Sequence, residues 1–189
     1  MDHILFINAC IRPMSRTLKL AQYVLTGLDG AVEELNLEAE QIQPHTWERL
    51  QKRDALLSAG DYSDPMFRYA RQFRDTDTIV IAAPYYDLSF PASLKCWVES
   101  VCNVGLTFYY DDQNQPQTLC KGKRLIYVTT SGAEFIPDFG FCYIKRVFSE
   151  FFHIEEAVCF HAEKLDLPDT NVEASLAMAE AEIDLYFGR

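Results

Sequence analysis

Three short runs of unbroken apolar or β-branched residues constrain this chain more than any other feature: residues 4–7 (ILFI), 78–83 (TIVIAA) and 125–130 (LIYVTT). A strand with one wet face alternates apolar and polar residues, whereas an unbroken run fits a strand covered on both faces, as in a parallel sheet. Each run ends abruptly in polar or turn-forming residues. NACIRPMSRT follows the first, PYYDLSFP the second, and the third passes into TTSGAEF.

Helical spacing fills the intervals. Leu18, Ala21, Leu25 and Leu28 recur at amphipathic spacing up to a stop near residues 27–30. Leu94, Trp97, Val98 and Val101 share one face, as do Phe141, Ile144, Phe148 and Phe151. Val172, Leu176, Ala179, Ile183 and Tyr186 mark a last helix. Two weaker strands are expected at residues 31–37 and 156–160. Residues 38–74 are polar and predict broken helix, 47–57 and 66–73, interrupted at Gly60, Asp61 and Pro65, with no legible site. GLTFYY at 105–110, followed by DDQNQP, predicts an extended excursion rather than a crossover helix. Strands alternating with helices imply a single α/β domain over residues 1–189, a three-layer sandwich around a five-stranded parallel sheet in the flavodoxin-like order 2-1-3-4-5. Such a sheet binds ligands beyond the carboxyl ends of its strands, beside strand one. The loops after strands one, three and four converge there.

Composition narrows the ligand. A net charge of −11 argues against nucleic acid and anionic membrane as partners, so an anionic ligand needs a local pocket. Cys10, Cys96, Cys102, Cys120, Cys142 and Cys159 form no CxxC pair, which predicts reduced thiols and a cytoplasmic location. No N-terminal targeting pattern and no apolar run near the ~20 residues of a membrane span is read. His3, His45, His153 and His161 lack metal-ligand spacing, so no metal is expected.

The first loop offers the Ser15 and Thr17 hydroxyls, backbone N–H groups at a helix start, and Arg12 or Arg16 to offset charge, a combination suited to phosphate. Ser15 as a plain helix cap is the competing reading. The second loop sets Tyr85 and Tyr86 between Pro84 and Pro91, where a flat heteroaromatic ring could meet the backbone of residues 86–88; these tyrosines could equally cover the sheet edge. Small residues at 130–133 allow close approach to backbone, or simply make a turn.

In order and spacing, Ala83-Pro84-Tyr85-Tyr86-Asp87, Pro91 to Lys95, Gly105 to Tyr110 and Gly122-Lys123 resemble the NAD(P)H-dependent FMN reductase and FMN-dependent azoreductase/quinone reductase family. The first loop resembles that family's phosphate loop more loosely. The resemblance implies a flavodoxin-like fold, bound FMN, NADH or NADPH as co-substrate, a small aromatic acceptor and a homodimer. It places Ser15 and Thr17 at the FMN phosphate, with Cys10 and Arg12 of the same loop also counted as cofactor-binding, Pro84, Tyr85, Tyr86, Asp87 and Leu88 along the isoalloxazine, and Thr130, Ser131, Gly132 and Ala133 at its other polar edge; a buried, inert thiol is the competing reading of Cys10. No side chain need act as a nucleophile. Phe108, Tyr109, Phe135 and Phe139 are candidates for an apolar wall, with core packing as the alternative for each. Three positions depart from the pattern: Cys10 for serine, Asp87 for asparagine and Ala133 for a second glycine. A carboxylate disfavours a reduced flavin anion, so the backbone of Asp87 is expected at the ring.

Two rival functions remain open in the sequence. Cys10 to Thr17 also fits C-x5-R-[ST], the loop of low-molecular-weight tyrosine phosphatases, with Cys10 as thiolate nucleophile and Arg16 as phosphoryl clamp. That loop's glycine and asparagine are missing, and Pro13 removes an N–H. The second rival is a flavin-binding electron carrier without turnover.

Overall fold

The computed structural model describes residues 2–189. Seven strands, β1 (Asp2–Asn8), β2 (Gly30–Asn36), β3 (Thr78–Ala82), β4 (Phe108–Tyr110), β5 (Pro116–Thr118), β6 (Arg124–Thr130) and β7 (Glu156–Ala162), alternate with six α-helices. These are α1 (Arg16–Leu25), α2 (Trp47–Ser58), α3 (Arg68–Arg74), α4 (Ala92–Val101), α5 (Phe141–Phe152) and α6 (Val172–Phe187). The main sheet runs β2-β1-β3-β6-β7, all parallel, while β4 and β5 form a separate antiparallel hairpin. With the hairpin set aside, the order is the expected 2-1-3-4-5.

The unbroken apolar runs have a direct cause. Successive residues of a strand point to opposite faces, and both faces are covered here. Leu5, Ile7, Ile79, Ile81, Leu125 and Tyr127 meet Phe73, Trp97, Phe148 and Phe152 of α3, α4 and α5. Ile4, Phe6, Val80, Ala82, Ile126 and Val128 meet Leu20, Val24, Ala179 and Ile183 of α1 and α6. Phe73 is the hub of the first layer, edge-on to Phe152 at 4.7 Å, Phe148 at 5.4 Å and Trp97 at 5.7 Å between ring centroids. Truncating a ring buried this fully typically costs about 3–5 kcal/mol.

Several boundaries differ from the sequence expectation for local reasons. Helix α1 stops at Leu25, where the Thr26 hydroxyl donates to the Tyr23 carbonyl at 2.7 Å, and Leu28 packs from outside the helix. Its buried face is Thr17, Leu20, Ala21 and Val24, one residue out of phase with the predicted stripe. Strand β7 runs on to Ala162 because Thr129 and Thr130 continue to pair with it. Residues 38–74 hold α2, which buries no side chain, a 3-10 turn at Pro65–Phe67, and α3. The 105–116 excursion is the β4–β5 hairpin, pinned to α5 by the ring Nε2 of His153 at 2.9 Å from the Pro116 carbonyl oxygen. Among the described residues, no helix is long and apolar enough to cross a membrane.

Parallel strands send every crossover loop out at one edge, and the ladder steers them as they leave. Ala9 N–H donates to Ala82 O at 2.9 Å, Ala83 to Val128 O at 3.0 Å, Tyr85 to Thr130 O at 3.1 Å and Ser131 to Ala162 O at 3.0 Å. The segments after β1, β3, β6 and β7 therefore start from fixed directions and enclose one space.

Candidate functional site

That space is a cavity of about 390 Å³ lined by Arg12, Met14, Ser15, Arg16 and Thr17 from the first loop, and by Pro84, Tyr85 and Tyr86 from the second. Thr130, Ser131 and Gly132, with Leu165 and Asp166 beyond β7, complete the wall. Ser15 is the N-cap of α1, its Oγ accepting the Leu18 N–H at 3.2 Å, with the hydroxyl also beside the Cys10 thiol. Among the described residues, the backbone N–H groups of Arg16 and Thr17 have no acceptor. They sit at the positive end of the helix dipole, in a cavity also lined by Arg12, whose guanidinium has no partner among the described residues. This donor set fits a phosphate.

Thr17 has a different local role from Ser15. Its side chain is buried, and its Oγ1 lies 2.7 Å from Thr130 Oγ1, locking α1 to the end of β6. Only one of the two protons lies between the oxygens, so one hydroxyl of the pair can still donate into the cavity. On the opposite side, Tyr85 stacks edge-on to Phe135 with centroids 5.2 Å apart. The Phe135 N–H donates to Glu163 at 2.8 Å, and this bond, with Lys164 beside it, holds the Glu163 carboxyl below the usual carboxylate range.

Nine of the thirteen anticipated cofactor residues line this cavity: Arg12, Ser15, Thr17, Pro84, Tyr85, Tyr86, Thr130, Ser131 and Gly132. Cys10, Asp87, Leu88 and Ala133 lie outside its lining. Asp87 and Leu88 form the two centre positions of a tight turn closed by Tyr86 and Ser89, which exchange N–H···O bonds of 3.1 and 2.8 Å. Both carry positive φ, 51° and 67°, and both side chains face solvent. A leucine held there is strained by roughly 1–2 kcal/mol. Ala133 is exposed, its carbonyl taken by the Ser131 hydroxyl and the Lys164 N–H. Of the proposed apolar wall, Phe108 is core, Phe135 backs Tyr85, and Tyr109 and Phe139 are exposed.

Met14, Arg16, Leu165 and Asp166 are lining residues that the cofactor assignment missed. The latter two follow the last strand without any motif; the rule that ligands gather beyond the carboxyl ends of the strands was the available signal. Cys10 is 6% exposed, its Sγ directed at Ala82 O at 3.8 Å, and burial pushes its pKa up to about 11. A thiol in that state is protonated at neutral pH and does not attack phosphorus. Arg16, the other half of that rival loop, is bound to Asp166 at 2.9 Å.

Comparison with known proteins agrees with this geometry. A family model described as a flavodoxin-like fold matches residues 2–187. An FMN-dependent NADH:quinone oxidoreductase 2 of Clostridium acetobutylicum is 30% identical over 190 residues, covering 93% of this chain and 93% of that protein. This chain belongs to the flavodoxin-like family that includes the FMN-dependent NADH:quinone oxidoreductases. Another family member, the FMN-dependent NADH:quinone oxidoreductase of Clostridium beijerinckii, is 30% identical across 95% of this chain and 94% of its own length. Among solved structures, an FMN-dependent NADH-azoreductase from Bacillus anthracis in complex with FMN superposes with a TM-score of 0.81 at 19% identity, covering 100% of this chain and 99% of the other. At that identity the likeness shows the shared fold.

Proposed function

We propose that this protein is a single-domain NAD(P)H-dependent flavin oxidoreductase that holds FMN in the cavity beyond β1, β3, β6 and β7. The observation that carries the reading is the pair of unpartnered N–H groups at Arg16 and Thr17, in residues that line one cavity together with Pro84, Tyr85 and Tyr86. The quinone-oxidoreductase relatives and the FMN-bound azoreductase structure support it. FMN held there would supply the redox chemistry, hydride transfer from reduced nicotinamide at its N5 and two-electron transfer to a quinone-, azo- or nitroaromatic-type acceptor.

The chain's own residues bind, orient and exclude water. Arg12, Ser15 and the α1 N-terminus hold the phosphate. Pro84, Tyr85 and Tyr86 flank the ring, with Thr130, Ser131 and Gly132 at its polar edge. Asp87 and Leu88 contribute through the strained turn that aims Tyr86, and Cys10 packs beneath the phosphate loop without touching its ligand. Met14 is 93% exposed, Phe139 64%, and Leu88 and Ile11 each 53%. Met14 lines the cavity; exposed apolar side chains of this kind suit cover by a second copy, and a homodimer is the working form this reading implies. Six free cysteines suit a reducing cytoplasm.

The test is anaerobic. The FMN-reconstituted protein is mixed with NADH or NADPH and a small benzoquinone, and nucleotide oxidation is followed with flavin absorbance. Flavin bleaching by NADH and recolouring by quinone are expected. Bound flavin that neither nucleotide reduces would favour the electron carrier, and no bound flavin would remove both readings.

A further inference from the structure

Arg16 opens α1, yet its guanidinium does not reach freely into solvent. Nη1 donates to Leu165 O at 3.3 Å and to Asp166 Oδ1 at 2.9 Å, so both of its hydrogens go to the segment after β7. Among the described residues, Nη2 and Nε have no acceptor. Asp166 is itself held in place. Its N–H donates to Gly132 O at 3.1 Å, and its carboxylate lies so close over Gly132 that a Cβ there would stand 2.3 Å from Oδ2. Arg16, Gly132, Leu165 and Asp166 all line the one cavity.

The side chains of Arg16 and Asp166 are 43% and 71% exposed, so their pairing adds little to the stability of the fold. A bare carboxylate on the wall of an anion site also repels the anion. The arrangement is coherent if the carboxylate does more for the arginine than it costs in repulsion. Arginine has many rotamers, and a donor fixed before its ligand arrives loses less freedom on binding.

We infer that Asp166 is a positioning residue, taking Nη1 of Arg16 so that Nη2 and Nε face a phosphomonoester dianion in the cavity. This rests on the flavin reading above, and the ligand's phosphate is the group addressed. Phosphate selectivity, rather than flavin binding as such, is what the pair controls.

The experiment measures FMN and riboflavin affinities by flavin fluorescence for the wild type, Arg16→Ala, Asp166→Ala, Asp166→Asn and the Arg16→Ala/Asp166→Ala double variant. Arg16→Ala is expected to weaken FMN about tenfold and leave riboflavin within about twofold. Asp166→Ala should weaken FMN about three- to fivefold, and have no weakening effect once Arg16 is absent. Asp166→Asn keeps an acceptor for Nη1 while removing the charge, and should bind FMN at least as tightly as wild type. The inference is overturned if Asp166→Ala tightens FMN, weakens FMN and riboflavin equally, or still weakens FMN in the Arg16→Ala background. A wild type that binds riboflavin and FMN equally well overturns it too, while leaving flavin binding intact. Uptake of neither flavin removes the flavin reading and this inference together.

Discussion

Thr17 and Thr130 join α1 to the end of β6 beside the cavity, and their 2.7 Å contact supports a quantitative prediction. Thr17 is 1% exposed, so its hydroxyl has no water to fall back on. Thr17→Val keeps the shape and the β-branch but leaves the Thr130 hydroxyl without its partner; Thr130→Val does the converse to a more deeply buried group. A net hydrogen bond of this kind is worth about 1 kcal/mol, and a stranded buried hydroxyl costs about 1–3 kcal/mol. Each single variant should therefore lose about 1–2 kcal/mol. The double variant replaces both hydroxyls by methyls in contact, so its loss should be below about 1 kcal/mol, giving a coupling of about 1–2 kcal/mol. Valine and threonine have similar helix propensity and both suit a strand, so backbone preference contributes little to the cycle. Urea unfolding of the four proteins without flavin gives the numbers. Strictly additive losses, or a double variant worse than either single, would refute the hydroxyl–hydroxyl lock.

Three further outcomes follow from the same structure. Ser15→Ala removes the cap on the Leu18 N–H and should cost about 1 kcal/mol by urea unfolding, with FMN affinity falling more than riboflavin affinity; a variant unchanged in both would contradict its role. Burial raises the Cys10 thiol from 9.0 to about 11, so the unfolded chain releases this proton first as pH rises. Its share of stability is intact below pH 9 and should fall by about 2–3 kcal/mol between pH 9 and 11. Cys10→Ala, compared at pH 8 and pH 11, should show a correspondingly shallower alkaline loss, and an identical slope would count against the burial argument. Leu88→Asn places a residue tolerant of left-handed backbone at φ 67° on an exposed side chain, and should raise the thermal midpoint slightly; a clear drop would show that Leu88 is held there by contacts rather than against strain.

Much of the fold was legible because the core is strict about pattern. The runs at 4–7, 78–83 and 125–130 are apolar at every step since both faces of β1, β3 and β6 are packed. The helix over Leu94, Trp97, Val98 and Val101 was legible because those four, with Ser100, are its buried residues. The α1 stripe was misphased because Thr17 is buried through its hydroxyl bond, which a hydrophobic pattern does not register. The site was legible where it comes from a loop directly after a strand. It was not legible at Leu165 and Asp166, whose place depends on the pairing of 164–166 with carbonyls of 131–133, a contact that no local spacing encodes. Likewise, no local spacing encodes the left-handed turn at Asp87 and Leu88 that leaves both side chains exposed and outside the cavity lining; for Asp87 this matches the expectation that only its backbone faces the ring.

The central claim is that the cavity between the α1 N-terminus and the residue 84–86 wall is a flavin mononucleotide site. Titration of the flavin-free protein with FMN, read by flavin fluorescence beside the Arg12→Ala variant, tests it most directly. The account predicts saturation at one FMN per chain and about tenfold weaker FMN binding in the variant, with riboflavin binding little changed. No saturable FMN binding to the wild type, or FMN binding indifferent to Arg12, would contradict it.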